Sequence, residues 1–150
     1  MVRQVMCGAD LLRAAGTVTK RLAQWLVAQG HIPAADGQEG VERGAQAARD
    51  LPKAEKAGAI LAAGAAAVDV DERELAAGDC LEFDHYTIAK VAPGQLWLRV
   101  HAEGKNKQVG PVPVPEAATR LLEGGWDVSC SLRRTLGTWR LAEVANVYPH

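Results

Sequence analysis

Gly16-Thr-Val-Thr-Lys-Arg-Leu-Ala-Gln-Trp-Leu-Val-Ala-Gln-Gly-His-Ile-Pro33 is the stretch whose reading decides the fold. Val18, Leu22, Trp25, Leu26 and Gln29 recur at the spacing of one helix face, and all but the last are apolar. The pattern predicts an amphipathic helix over Thr17–Gln29. Thr17 or Thr19 can cap its front. Gly30 can adopt the left-handed conformation that ends a helix, and Pro33 blocks its continuation. Lys20 and Arg21 fall near the first turn. Cations are unfavourable beside the positive end of a helix dipole unless an anion lies opposite.

The surroundings narrow the class of protein. With 150 residues, 48% hydrophobic and 23% charged, the chain has the composition of a soluble globular protein of one ordinary or two small domains. The net charge of −1 excludes the overall basic surplus of a strong nucleic-acid binder, but the charge is uneven. Residues 1–30 carry a net +3 and residues 31–75 a net −4. Cys7, Cys80 and Cys130 are far apart and in no Cys-x-x-Cys pattern, so neither a disulfide framework nor a zinc site is expected. The first residues lack the apolar run of a signal peptide. The longest apolar run, Ala57–Val70, is rich in Ala and Gly and too weak to span a bilayer. A cytoplasmic protein with no membrane role is expected.

Upstream, Ala9–Ala15 reads as a short helix ended by Gly16, and the next helix begins at once. Two helices joined so tightly cross at a large angle. Residues 34–44, with Gly37, Gly40 and Gly44 and no apolar period, read as a loop or small hairpin. Ala45–Arg49 can form a helical turn. Asp50-Leu51-Pro52 then reads as a new helix start, running to about Ala63 and stopping at Gly64. Val68–Val70 and Asp71–Leu75 lead out of a module spanning residues 1–70.

Residues 8–65 resemble the MerR-type winged helix-turn-helix. The matching features are Ala15-Gly16 before the reading helix, Leu22 and Trp25 within it, and Gly30-His31-Ile32-Pro33 at its end. Gly37–Arg43 stands at the wing, and Asp50-Leu51 and Gly64 bound the following helix. The resemblance implies a DNA-binding regulator acting as a homodimer, its reading helix in the major groove of double-stranded DNA. Thr17, Thr19, Lys20 and Arg21 would contact phosphates or base edges, and Arg43 would reach from the wing. A carboxy-terminal part, β-rich here instead of the family's usual coiled coil, would dimerise or bind an effector.

The second half, residues 76–150, changes character. Cys80–Lys90 is strand-like, with a phase slip near His85 that suggests a bulge. Leu96, Leu98 and Val100 alternate with Trp97, Arg99 and His101, the clearest strand in the chain. Gln108–Val114 reads as an edge strand, because Pro111 and Pro113 cannot donate to a central ladder. Pro115–Glu123 reads as a short helix. Trp126, Val128, Cys130 and Leu132 alternate again, and Trp139–Tyr148 gives a last strand. The order β-β-β-α-β-β predicts a small curled antiparallel sheet or partial barrel with one helix, and an α+β fold overall.

No catalytic constellation stands out. The histidines His31, His85, His101 and His150 share no metal-ligand spacing, no phosphate loop or dinucleotide fingerprint is present, and carboxylates are scattered singly. No metal, cofactor or enzymatic activity is expected. Trp97, Arg99, Trp126 and Trp139 interleave aromatic and basic character, which suits a ligand or partner surface as well as a core. Two readings follow: the DNA-binding regulator, and a non-catalytic protein-interaction or small-ligand module built on the same scaffold.

Overall fold

A computed structural model describes residues 8–68, 75–76, 78–102 and 105–150. Cys7 and residues 69–74 of the expected lead-out lie outside them. The chain is α+β, with two helices, a five-stranded antiparallel sheet and one short helix among the described residues. Two compact units divide it, Met1–Lys53 and Ala54–His150.

The first unit is a helical hairpin. Helix α1 runs unbroken over Ala9–Ala28, and α2 over Ala34–Ala66, extending into the second unit. The stop at Gly30 forms as expected: its φ is +71°, and the amides of Gly30 and His31 bond back to Val27 and Leu26 carbonyls. Three other expectations are corrected. Gly16 does not turn the chain; it lies inside α1. Residues 34–44 are neither loop nor wing but the first turns of α2, with Pro33 just ahead of them and its carbonyl accepting from the Gly37 amide. Asp50 and Pro52 do not open a helix; Pro52 sits within α2, where its missing N–H leaves the Ala48 carbonyl without its usual helical partner.

One physical fact explains the first two corrections. Gly37, Gly40 and Gly44 are spaced three and four apart, so in a helix they share one face. That face meets α1. A β-carbon on Gly37 would collide with the Val27 side chain, and one on Gly40 would lie 2.9 Å from the Ala23 β-carbon. On Gly44 it would approach the Lys20 amide to 2.7 Å and the Gly16 carbonyl to 2.8 Å. On Gly16 it would lie 2.5 Å from the Ala48 nitrogen. The seam between α1 and α2 is thus backbone against backbone. The glycines bring the helices together and do not break them.

In the second unit the strands are β1 (Cys80–Ala92), β2 (Gln95–Ala102), β3 (Lys105–Pro113), β4 (Asp127–Thr135) and β5 (Thr138–Tyr148). Their order across the sheet is β3-β2-β1-β4-β5, all neighbours antiparallel. The proline-bearing β3 is an edge, as its sequence demands. The register of β1 slips between Leu81 and Asp84, close to the expected bulge. The sheet curls until its edges β3 and β5 approach, but no ladder closes it. Its concave face holds Tyr86, Ile88, Leu96, Leu98, Val112, Val128, Cys130, Leu132 and Leu141. Ala54, Ala57, Leu61 and Ala65 of α2 join this core. Gly58 lies against Val147 of β5, and Gly64, inside the helix it was expected to end, lies against Pro115. Helix α3 is shorter than expected, Glu116–Thr119, and buries Ala118 and Thr119.

Candidate functional site

The face of α1 opposite the seam carries a row of exposed apolar side chains. The seam residues Gly16, Lys20, Ala23 and Val27 recur at four, three and four. Leu11, Val18, Leu22 and Trp25 lie on the other side of the helix, since two residues of offset is about 200°. They are 57%, 62%, 52% and 53% exposed. Large apolar side chains left half in water along one line mark a surface that covers or is covered by something. The sequence pattern puts Val18, Leu22 and Trp25 on one apolar stripe together with Leu26; in the structure Leu26 is half-buried, and Leu11, expected on a separate helix, joins the exposed line. Alanine and glycine form the seam with α2, because they let the two backbones approach.

The expected DNA-contacting residues lie around the same helix. Thr17 and Thr19 are exposed, but each hydroxyl donates to a carbonyl one turn back, Arg13 and Ala15, at 3.0 Å. Arg21 is exposed, Lys20 is half-buried beside the seam, and among the described residues neither has an acidic partner. Arg43 does not reach from a wing. It lies on α2, paired with Glu39 at 2.6 Å one turn away. The structure therefore places Thr17, Thr19, Lys20 and Arg21 on α1 and Arg43 on α2.

The aromatic and basic residues of the sheet divide into three environments. Trp126 is 3% exposed and belongs to the core. Trp97 is half-buried on the convex face, with the Lys90 ammonium 4.6 Å from its ring centre and Gly110 packed against its pyrrole side. Arg99 is exposed on that same face. Trp139 packs on the core, with the Arg134 guanidinium 5.4 Å from its ring. Arg134 in turn clamps Asp79 through two bonds of 2.6 and 2.7 Å, fixing the start of β1. These residues do not form one site: each tryptophan has its own local partner.

Two polar groupings on the sheet were not foreseen. Ser129 Oγ and His85 Nδ1 are 2.6 Å apart, with Tyr148 edge-on to the His85 ring at 5.5 Å. Register pairing of β1 with β4 sets this contact, and strand alternation puts the neighbouring Cys130 on the opposite, buried face. Burial pushes the Cys130 thiol up to about 12, so it stays protonated and unreactive. Beside this pair, Asp127 accepts from His150 at 2.9 Å. Burial alone would raise the Asp127 carboxyl. The neighbouring Thr87 hydroxyl, the His150 hydrogen bond and the charges of His150 and His85 outweigh it and hold the group below its ordinary value. Among the described residues no three metal-ligating side chains converge. No helix there is long and apolar enough to cross a membrane. A shallow apolar groove of about 210 Å³ between Leu61, Ala65, Pro115 and Leu141 has Arg140 as its charged lining residue.

No protein-family model, no curated protein and no solved structure matches the chain.

Proposed function

We propose that this chain is a non-catalytic protein-interaction module, and that the outer face of α1 is its docking surface. A single observation carries this reading. All four large apolar residues of the stripe face away from α2, the helix that α1 packs on among the described residues of its unit. Leu11, Ala15, Val18, Leu22, Trp25 and Gln29 follow each other at alternating steps of four and three. That is the mean period of 3.5 at which one helix presents a continuous seam to another. The fitting partner is therefore a helix with an apolar stripe of its own.

A photoreactive amino acid at Val18, introduced into the full chain in the cell that makes it, tests the reading. It should form a protein adduct that is lost when Leu22 is also replaced by Glu. Adducts unaffected by Leu22→Glu, or none at all, would contradict it.

Duplex DNA binding through Thr17, Thr19, Lys20 and Arg21 is the second reading, favoured by the exposed Arg21, which has no acidic partner among the described residues, and by the basic amino-terminal segment. Anisotropy of a labelled random duplex decides it. Polyanion binding through a few phosphate contacts weakens steeply as salt rises. Absence of binding at low salt would remove this reading.

A further inference from the structure

We infer that the occupant of the α1 face is a second copy of this chain, with its α1 running antiparallel to the first. This rests on the docking reading above and adds the identity and direction of the partner. The steps along the stripe from Leu11 to Gln29 are four, three, four, three and four, and they read the same backwards. A two-fold axis between Thr19 and Arg21 therefore maps the stripe onto itself. It sets Leu11 opposite Gln29, Ala15 opposite Trp25, and Val18 opposite Leu22, each layer then repeating on the other side of the axis.

Side-chain size favours this direction. The largest residue of the stripe, Trp25, faces the smallest, Ala15, so every layer holds a comparable volume. A parallel, in-register pair would stack Trp25 on Trp25 and Ala15 on Ala15, crowding one layer and leaving a void in another. The antiparallel arrangement also lays the positive end of each helix dipole beside the negative end of its partner. The polar Gln29 falls in the outermost layers, where water can reach it. Because α2 occupies the opposite side of α1, it leaves this face open, with the His31 ring 5.7 Å from that of Trp25 at one end.

Charge supplies a sign. Arg21 flanks the stripe, and the two-fold places both copies of it on one side of the pair, with both copies of Thr19 on the other. Salt screens the Arg21 pair, so association holds or strengthens as salt rises. The seam is about 27 Å long, and an interface of that extent lies at the small end of specific contacts. The dimer is accordingly sensitive to one buried charge.

The test uses the full chain in two singly substituted forms, Val18→Cys and Leu22→Cys, mixed and mildly oxidised, with linked peptides identified by mass spectrometry. A mixed disulfide between the two forms should outnumber the self-disulfide of either. In parallel, Leu22→Glu should sediment as one chain while its far-ultraviolet dichroism is unchanged, because Leu22 is already half in water. A Val18→Cys self-disulfide outnumbering the mixed one would overturn the antiparallel direction. A single-chain mass for the unsubstituted protein, with no linkage at either position, would overturn self-association. If adducts to a different protein at Val18 persisted in that case, the docking surface would stand and only its occupant would change.

Discussion

Gly16 of α1 and Ala48 of α2 approach so closely that a β-carbon on Gly16 would lie 2.5 Å from the Ala48 nitrogen and 2.7 Å from its α-carbon. Glycine to alanine inside a helix ordinarily stabilises by about 1 kcal/mol. Here the sign reverses. Gly16→Ala and Gly44→Ala should each destabilise the hairpin by about 1–3 kcal/mol, the usual cost of overpacking a rigid contact. Urea unfolding followed by far-ultraviolet dichroism checks this, and a rise in stability for either variant would show that the seam is looser than described.

Gly110 is the corresponding point in the sheet. Its φ is +150°, and a β-carbon would meet the Leu96 carbonyl at 2.8 Å and the Trp97 ring at 2.8–2.9 Å. Gly110→Ala should lower stability by about 1–3 kcal/mol through strain and displacement of Trp97. The same variant should shift tryptophan emission. An unchanged spectrum with full stability would mean that β3 yields easily at this edge.

How much could be read from residues alone follows from these two glycines. The β half was legible because alternation is a direct imprint of a sheet with one buried face. Leu96, Leu98 and Val100 turned inward and Trp97 outward as their spacing required. The edge position of β3 followed from Pro111 and Pro113. The helical half was misread because glycine has two uses. At Gly30 it ends a helix through positive φ; at Gly16, Gly37, Gly40 and Gly44 it lets two helix backbones touch. Composition cannot separate these uses, but spacing could have done so. Steps of three and four between Gly37, Gly40 and Gly44 are a helix face. The stripe of α1 was legible as a stripe, but which side of the helix meets the protein depended on what α2 offered. The His85–Ser129 contact depended on strand register, which local patterns do not specify.

Thiol chemistry distinguishes the two sides of that register. Cys130 is fully buried with its thiol raised to about 12, whereas Cys80 is half-buried near the start of β1. In a Cys7→Ser background, an alkylating reagent at neutral pH should modify Cys80 first. Cys130 should react only at the rate at which the domain opens. Equal rates for both thiols would contradict the packing of β4 on the core.

The pair formed by Asp127 and His150 predicts behaviour in acid. The Asp127 carboxyl is held below its ordinary value in the folded chain. A depressed carboxyl contributes stability that is complete above its unfolded pKa, about 3.9. That stability is lost as pH falls through the lower folded value. The contact is partly exposed, so it contributes at most about 1 kcal/mol. His150→Ala should raise the Asp127 titration midpoint, followed by carboxyl chemical shifts, and should shrink the loss of stability on acidification. A midpoint unmoved by His150→Ala would assign the shift to Thr87 and the His85 charge.

The most direct test of self-association through α1 is the sedimentation mass of the full chain at low and at moderate salt, each with and without a random DNA duplex. The account predicts a two-chain mass that salt does not reduce, that duplex does not change, and that Leu22→Glu halves. A one-chain mass that rises only when duplex is added at low salt, and falls back as salt increases, would contradict it and return α1 to the role of a DNA-contacting helix.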